Sequence, residues 1–302
     1  MTGWRDALLP DSPVGLAGWL RVVWRGALLG GLTYGCLALL LLVRLVERPL
    51  CGMNRPVTPW ITQFVCRSAF VILRLPLVVR GNPMAEKGAV VANHGSWMDI
   101  FVLNAGQRVY FVSKSEVAGW PGIGWLARAT GTVFIRRSGA EAKLQQAVFE
   151  ERLRANHRIL FFPEGTSTDS NRLLPFKSTL FAAFFTHGLQ HVLHVQPVTV
   201  IYHAPPGEDA RFYGWWGEMD FGPHLLKVLA ARRQGRIEVV FHPPVAVSDV
   251  KDRKALSAHC EAVIRAAHPF GILRRDDANG PEPSDIPDAI SALAGPSDRA
   301  DA

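Results

Sequence analysis

Ala89-Val90-Val91-Ala92-Asn93-His94-Gly95-Ser96-Trp97-Met98-Asp99 joins a short apolar run to a histidine and an aspartate that lie five residues apart. Five helical steps would leave these two side chains roughly 140° apart, so they can meet only if the chain turns between them. Gly95-Ser96 can form that turn, with Asp99 in the first turn of a following helix. A neutral imidazole can accept a proton from a hydroxyl, and a carboxylate can hold it in the correct tautomer. The stretch therefore predicts a strand-to-helix connection that carries His94 and Asp99 as a catalytic pair.

Short β-rich runs alternate with amphipathic or turn-rich stretches in the chain from about residue 80 onward. This order is typical of an α/β fold with a mixed, mostly parallel sheet flanked by helices, and hydrophobic membrane helices precede it. We expect a membrane-associating segment (1–76), a main domain (77–270) and an acidic, disordered tail (271–302). The predicted strands are Leu77–Arg80, Ala89–Asn93, Val109–Ser113, Thr132–Ile135, Ile159–Phe162, Val195–Tyr202 and Ile237–Phe241. The predicted helices are Asp99–Gly106, Trp120–Ala129, Ala140–Ala155, Lys177–His187, Pro223–Gln234 and Lys251–Ala267.

Two hydrophobic segments come before the α/β pattern. Gly26–Val43 has eighteen residues without a charged side chain, which is the lower limit for a membrane span. Trp60–Val79 follows Thr58-Pro59, a helix-start signal with threonine as the predicted cap. Arg67 and Arg74 share one face of that second helix, as in helices that lie in a membrane interface. We expect both segments to associate with a membrane, either spanning or only entering it; two buried core helices are the alternative.

The 302-residue chain has a formal net charge of +7, but its charges are unevenly distributed. Residues 276–302 hold seven acidic residues and one basic residue, which leaves 32 basic against 19 acidic residues in the first 275. A basic body of this kind fits a membrane surface, a nucleic acid or an acidic partner. Nucleic acid is disfavoured, because the sequence has neither zinc-knuckle spacing nor a basic–aromatic stripe. The four cysteines have no paired spacing and are predicted to be reduced.

Phe162-Pro163-Glu164-Gly165-Thr166-Ser167 also follows an apolar strand. Its proline and glycine favour a turn that brings the backbone close to a ligand. Glu164 can accept hydrogen bonds from substrate hydroxyls, and Thr166 and Ser167 can cap a helix or bind an anion. Lys177 adds a cation after the same strand. An ordinary loop is the alternative for this stretch alone.

Gly131-Thr132-Val133-Phe134-Ile135 is a third strand that leads into two cations, Arg136 and Arg137. Two guanidinium groups at the carboxyl end of a strand can form a fork for phosphate or carboxylate. A solvated charged edge is the alternative interpretation of this pair.

These stretches, in this order, resemble the glycerolipid acyltransferase family, which includes bacterial 1-acylglycerol-3-phosphate O-acyltransferases and the related lyso-ornithine lipid acyltransferases. The resemblance covers roughly residues 75–245, and its first and third blocks, about 65 residues apart, are specific. The four family blocks match as His94-x4-Asp99, Phe134-Ile135-x-Arg137, Phe162-Pro163-Glu164-Gly165-Thr166-Ser167 and Val195-x-Pro197-Val198. Lys114-Ser115-Glu116 and Trp120-Pro121-Gly122-Ile123-Gly124 resemble the family's segment between the first two blocks.

The resemblance implies roles for the first three blocks. The histidine is the base that activates the acceptor hydroxyl, and the aspartate orients it. The Glu–Gly block binds the acceptor, and the arginine of the second block contacts its phosphate. Arg136 departs from the family pattern, which commonly has an acidic residue there, and leaves Arg137 as the match. The predicted catalytic residues are thus His94 and Asp99, and the predicted substrate-binding residues are Glu164, Gly165, Thr166, Ser167, Arg137, Arg136, Lys114 and Lys177.

The function implied by the resemblance is acyl transfer from a thioester to the free hydroxyl of a lysolipid, without a metal or other cofactor. The commonest acceptor in the family is 1-acyl-sn-glycerol-3-phosphate, and a lyso-ornithine lipid is the alternative. The expected partners are membrane lipids, the lysolipid, and acyl-carrier protein or coenzyme A, whose negative charges fit the basic body. We expect the cytoplasmic membrane as the location, with the site facing the cytosol, because thioester donors are intracellular.

Two other functions stay open at this level. His187, His191 and His194 have the spacing of one helix face and could hold zinc in a metal-dependent membrane hydrolase. Gly188 and the β-like run that begins at Val195 argue against it, because they predict that the helix ends near residue 188. The second function is lipid binding by a catalytically dead relative, which the intact histidine, aspartate and glutamate disfavour.

Overall fold

The computed structural model describes residues 4, 9, 13–135, 142–185 and 189–270, and these contain an eight-stranded sheet flanked by helices. The strands are β1 (Leu77–Arg80), β2 (Gly88–Ala92), β3 (Tyr110–Lys114), β4 (Val133–Ile135), β5 (Ile159–Phe161), β6 (His194–His203), β7 (Arg236–Phe241) and β8 (Val245–Ala246). The α-helices are α1 (Leu16–Cys51), α2 (Thr58–Leu73), α3 (Asp99–Gly106), α4 (Ile123–Thr130), α5 (Ala142–Arg154), α6 (Phe221–Ala230) and α7 (Arg253–Ala267). Shorter 3-10 helices lie at Ser115–Gly119, Ser178–Phe185, Leu189–His191 and Val247–Asp249.

Five neighbouring strands run parallel, in the order β6-β2-β5-β3-β4. Strand β7 pairs with β6 in antiparallel orientation, β1 pairs with β7 in parallel, and β8 pairs antiparallel with the start of β6. The predicted mixed, mostly parallel sheet with flanking helices is therefore confirmed. Strand β2 lies between β5 and β6, so the residues that follow it emerge near the middle of the sheet edge.

The side chains of β2 alternate between two apolar layers, one on each face of the sheet. Val90 and Ala92 pack in the layer that contains residues of α2, α3 and α6. Ala89 and Val91 pack in the layer formed with α5, α7 and the 3-10 helix Ser178–Phe185. A strand that is covered on both faces has to be apolar at every position, because successive side chains point to opposite sides. This explains the uninterrupted apolar run that precedes the histidine.

Several predicted elements differ from the observed ones. The predicted helix Lys177–His187 is a 3-10 helix over Ser178–Phe185, and residues 186–188 lie outside the described part of the chain. Phe181 and Phe184 are both fully buried, and a repeat of three residues per turn places them on the same side. The predicted helix Trp120–Ala129 begins later, at Ile123. Strand β8 was not predicted, because a strand of two residues has no detectable periodicity. The predicted tail (271–302) lies outside the described residues.

Helix α1 is 36 residues long, about 54 Å, and its N-terminal part is bonded to the end of α6. Arg21 Nε donates to the carbonyl oxygen of Ala230 at 2.7 Å. Arg25 Nη1 donates to the carbonyl oxygens of Leu229 at 2.7 Å and Ala231 at 2.8 Å. The last carbonyls of a helix lack partners within the helix and favour cations, so the two arginines complete the C-terminus of α6. Arg25 is buried as a result.

The C-terminal part of α1 is bonded to the start of α2 through Glu47. Its Oε1 accepts from the backbone N–H groups of Val57 (2.8 Å) and Thr58 (3.1 Å), and its Oε2 accepts from the Thr58 hydroxyl (2.8 Å). The predicted role of Thr58 as the cap of α2 is wrong, because Thr58 is the first helical residue. A carboxylate from the neighbouring helix binds the free N–H groups instead, where the helix dipole favours negative charge.

Replacement of Arg25 with alanine should weaken the attachment of α1 to the domain. The change leaves buried carbonyl oxygens of α6 without donors, and a hydrogen bond to a charged group contributes about 1.5–3 kcal/mol. We expect the free energy of unfolding in detergent to fall by about that amount. Arg48→Ala, which removes an exposed arginine from the same helix, is the control and should change little. Equal losses for the two variants would contradict the role of Arg25.

Candidate active site

Asn93 marks the point at which the chain leaves strand β2. Its Nδ2 donates to the carbonyl oxygen of Val200 at 2.9 Å, and its Oδ1 accepts from the N–H of Val200 at 2.8 Å. The buried amide side chain therefore replaces a backbone pair between β2 and β6. This anchor places His94 at the carboxyl end of a central parallel strand, where ligands bind in sheets of this type.

His94 and Asp99 meet across the turn between β2 and α3. His94 Nδ1 lies 2.7 Å from Asp99 Oδ2, and the same oxygen accepts from the N–H groups of Gly95 (3.0 Å) and Ser96 (3.1 Å). A carboxylate oxygen only accepts, so Nδ1 carries the hydrogen and Nε2 remains as the basic nitrogen. The side chain of Asp99 is fully buried, whereas that of His94 is 20% exposed. The pair thus has the geometry of a base that is oriented by a carboxylate and open to a substrate.

The His94 ring is also held by Phe162, which lies flat against it. The ring centroids are 4.0 Å apart with an angle of 10° between the planes. Phe111 lies beyond Phe162, with centroids 6.1 Å apart. Stacking on one face and the bond at Nδ1 together restrict rotation of the imidazole, and a fixed base loses less freedom on reaction.

Glu164 lies behind the backbone of His94. Its Oε1 accepts from the N–H of His94 at 2.8 Å, and its Oε2 accepts from the N–H of Leu174 at 2.8 Å. Burial raises the pKa of Glu164 to about 8, although the two N–H donors act in the opposite direction. Both carboxyl oxygens are already bonded to the protein, so this geometry holds the catalytic turn against the following loop. A contact between Glu164 and the acceptor stays a prediction.

The loop after Glu164 folds back over the catalytic turn. Gly165 has a φ of +75°, a conformation that favours glycine, and its N–H donates to the carbonyl three residues earlier at 3.1 Å. Thr166 and Ser167 are half-buried in this turn. The N–H of Thr168 then donates to the carbonyl oxygen of His94 at 2.9 Å. The turn that carries the predicted acceptor-binding residues is therefore bonded directly to His94.

Two of the predicted cations, Lys114 and Lys177, lie at or after the ends of the neighbouring strands β3 and β5. Lys114 is exposed at the end of β3, and Lys177 is exposed in the loop that follows β5. The backbone N–H of Lys177 donates to the carbonyl oxygen of Pro163 at 2.9 Å. Arg136–Arg137 lie outside the described residues, but the strand before them ends at Ile135, which pairs with Lys114. That strand, β4, is the third from β2 in the sheet.

The histidines of the alternative metal site do not form a described cluster. His191 is exposed and its Nε2 lies 3.3 Å from Gln190 Nε2, while His194 is the first residue of β6. His187 lies outside the described residues. Within the ranges that the structure describes, no group of three histidine, cysteine or acidic side chains could hold a metal ion.

Tyr202 is a site residue that sequence analysis missed. Its hydroxyl donates to Asp99 Oδ1 at 2.5 Å from the far part of strand β6. Burial, followed by the charge of Asp99, raises the pKa of Tyr202 well above its usual range. The two residues are 103 positions apart, and a tyrosine at the end of an apolar strand carries no motif that would identify it.

Trp97 and Trp215 are two further residues near the catalytic turn that sequence analysis did not single out. The indole N–H of Trp97 donates to His224 Nδ1 at 2.9 Å. Burial lowers the pKa of His224 to about 3, so its neutral ring can accept this bond. The backbone N–H of Trp215 donates to the carbonyl oxygen of Gly95 at 3.0 Å. Helix α6 and the loop before it are thereby joined to the turn that carries His94.

Known proteins resemble this chain over most of its length. The Acyltransferase family model matches residues 77–201. The lyso-ornithine lipid O-acyltransferase of Rhodobacter capsulatus is 62% identical over 257 residues, which are 85% of this chain and 93% of that protein. The 1-acyl-sn-glycerol-3-phosphate acyltransferase of Neisseria gonorrhoeae is 32% identical over 66% of this chain and 77% of its own length. The crystal structure of the 1-acyl-sn-glycerophosphate (LPA) acyltransferase PlsC from Thermotoga maritima has the same fold, with a TM-score of 0.59 and 22% identity over 85% of this chain and 97% of that one.

The resemblance inferred from the four sequence blocks is confirmed by these comparisons. The matched region contains the strand, the turn and the helix that bring the histidine and the aspartate together. The chain belongs to the acyltransferase family and is an acyltransferase.

Proposed function

We propose that this acyltransferase moves a fatty acyl chain from a thioester donor to the free hydroxyl of a lyso-ornithine lipid. The main observation in support of acyl transfer is the His94–Asp99 pair, in which a buried carboxylate lies 2.7 Å from Nδ1 of a partly exposed imidazole. The acceptor assignment rests on the 62% identity to a lyso-ornithine lipid O-acyltransferase, against 32% to a 1-acyl-sn-glycerol-3-phosphate acyltransferase. The glycerophosphate acceptor, which the sequence blocks favoured, is the second candidate.

The reaction proposed for the pair begins when the acceptor hydroxyl attacks the thioester carbonyl carbon and gives its proton to His94 Nε2. The carbonyl electrons move onto the oxygen and form a tetrahedral intermediate. Collapse of this intermediate restores the carbonyl and breaks the carbon–sulfur bond, and the leaving thiolate takes the proton from Nε2. Asp99 stabilises the imidazolium that exists between these steps. The donor, acyl-carrier protein or coenzyme A, is the one co-substrate that this route requires.

The binding residues are assigned from the sequence blocks and from the loop that carries them. Arg137, with Arg136, is proposed to bind the anionic group of the acceptor, because a planar guanidinium can hold either a carboxylate or a phosphate in a bidentate manner. Lys114 pairs with the last residue of the strand that leads to them and is proposed to act at the same edge. Thr166, Ser167 and Lys177 are proposed to contact substrate from the loop bonded to His94.

The membrane location is proposed from the way α1 is attached. By length and composition alone, α1 could cross a membrane. However, Arg25 and Glu47 are 22 residues apart, about 33 Å, and both are bonded to the body of the protein. A helix that crossed the roughly 30 Å hydrocarbon core would carry one of these ends away from the domain. We therefore propose that α1 lies along the cytoplasmic leaflet, with its exposed apolar side chains in the lipid; these include Leu16, Trp19, Leu20, Val23, Leu42, Leu45 and Leu50.

Replacement of His94 with alanine should abolish acyl transfer in a protein that still folds. Loss of a general base typically lowers the rate about 10²–10⁴-fold. Asp99→Asn should also impair turnover, because the carboxamide no longer fixes the tautomer. His191→Ala, which removes an exposed histidine outside the site, is the control. Circular dichroism should show that the variants fold. Near-normal turnover by a folded His94→Ala protein would contradict general-base catalysis by His94.

The acceptor is tested with purified protein, a labelled acyl thioester, and lyso-ornithine lipid or 1-acyl-sn-glycerol-3-phosphate. We expect kcat/KM to be at least roughly tenfold higher for the ornithine lipid, a difference of about 1.4 kcal/mol. Preference for the glycerophosphate would reject the ornithine lipid as the acceptor and leave acyl transfer in place.

Arg137→Ala should raise the KM for the acceptor by roughly 10–150-fold and leave the KM for the donor unchanged. A rise in the donor KM alone would assign the arginines to the donor.

The position of α1 is tested with epitope tags placed before Leu16 and between Cys51 and Val57. If the helix lies along one leaflet, both tags should be cleaved by protease in inside-out membrane vesicles and protected in right-side-out vesicles. A tag at the C-terminus reports on which side of the membrane that end of the chain lies. Cleavage of the first tag from the opposite side to the second would show that α1 crosses the membrane.

A further inference from the structure

We infer that Tyr202 is a positioning residue of the reaction, whose hydroxyl holds the Asp99 carboxylate and thereby tunes the basicity of His94. This inference rests on the proposed role of His94 as the general base. The catalytic arrangement then has three members, in the order His94, Asp99 and Tyr202, of which only the first meets the substrate.

The two oxygens of the Asp99 carboxylate have different partners. Oδ2 accepts from His94 Nδ1 and from the N–H groups of Gly95 and Ser96. Oδ1 accepts from the Tyr202 hydroxyl at 2.5 Å, within the range of bonds between a hydroxyl and an ionised carboxylate. Asp99 has no exposed surface, so removal of the hydroxyl would leave Oδ1 without this donor and without bulk water. The tyrosine therefore completes the hydrogen bonds of a buried charge.

The length of strand β6 explains how a residue so distant in sequence reaches the pair. In the parallel pairing of β2 and β6, Ala92 at the end of β2 is opposite Val198. Strand β6 has ten residues and continues beyond that point, whereas β2 has five. Its continuation binds Asn93 through Val200 and then places Tyr202 beneath the turn that carries the base.

Packing alone does not account for a tyrosine at this position. The Tyr202 ring is buried in the apolar layer, 5.8 Å from the ring of Tyr213, and a phenylalanine would fill the same space. A buried hydroxyl lowers stability unless it is hydrogen-bonded, and here its partner is a catalytic carboxylate. The phenol stays protonated at working pH, since burial and the charge of Asp99 raise the pKa of Tyr202. It is therefore a permanent donor to Asp99.

A donor at Oδ1 changes the chemistry at the other oxygen. It draws electron density from the carboxylate, so Oδ2 attracts the imidazolium less strongly and the proton returns more easily to the leaving thiolate. Without it, the carboxylate would hold the imidazolium more tightly. The acidic limb of the pH–rate profile should then move to higher pH, because the His94 imidazolium loses its proton only at a lower proton concentration. Among the residues that the structure describes, the other titratable groups bonded to the turn are Glu164, at the backbone of His94, and His224, at the indole of Trp97, and Tyr213 lies behind Tyr202.

The test compares Tyr202→Phe with Tyr213→Phe in the full-length enzyme. Tyr213 is a neighbouring buried tyrosine whose hydroxyl donates to Gln234 at 2.7 Å and has no bond to the pair. For Tyr202→Phe we expect kcat to fall roughly 10–100-fold, the size of one charge-assisted hydrogen bond, with the acceptor KM unchanged and the acidic limb at higher pH. For Tyr213→Phe we expect lower thermal stability with the wild-type pH profile.

A second substitution keeps the test independent of folding. Site-specific 3-fluorotyrosine at position 202 retains the ring shape but makes the phenol a stronger donor, so the acidic limb should move to lower pH. If both changes at position 202 leave the pH profile in place, or move it in the opposite direction, the inference is overturned. His94→Ala is assayed in parallel to separate the two ideas. If His94→Ala is active, the role of His94 as general base is overturned, and this inference with it. If His94→Ala is inactive but Tyr202→Phe behaves like the wild type, only this inference is overturned.

Discussion

The buried carboxylate of Asp99 is the constraint on which the site depends. A carboxylate without exposed surface is stable only when donors surround it, and here a ring nitrogen, two backbone N–H groups and a phenol supply them. The turn after β2 takes its shape from this requirement, because Gly95 and Ser96 must direct their N–H groups inward. The same geometry leaves Nε2 of His94 as the one ring nitrogen that faces away from the carboxylate.

Two carboxyl groups serve the same histidine in different ways. Asp99 binds the ring, whereas Glu164 binds the backbone N–H and joins the turn to the loop after β5. Both lie at the carboxyl ends of adjacent parallel strands, which brings the first and third family blocks together. A block that the sequence predicts to contact substrate therefore supports the backbone of His94.

Charged residues help to attach the long N-terminal helix to the domain, alongside the buried apolar side chains of Val22 and Leu40. Arg21 and Arg25 complete the C-terminus of α6, and Glu47 binds the N-terminus of α2. These bonds use the unpaired groups that every helix end presents. The apolar face of α1 is thus left exposed over most of its length and available to lipid. If α1 binds the membrane as proposed, the acyl acceptor would reach the proposed base, His94, from that membrane.

The α/β order, the central apolar strand and the His94–Asp99 pair could be predicted from sequence, because they depend on spacing within a few residues and on the alternation of side chains along a strand. The sequence also identified the family through four short blocks. Three contacts could be recognised only in the folded chain: the Tyr202 hydroxyl on the Asp99 carboxylate, Glu164 on the backbone of His94, and Arg25 on the end of α6. Those partners lie 103, 70 and 204 residues apart, and periodicity reports which face of an element is buried but not which distant atom it meets.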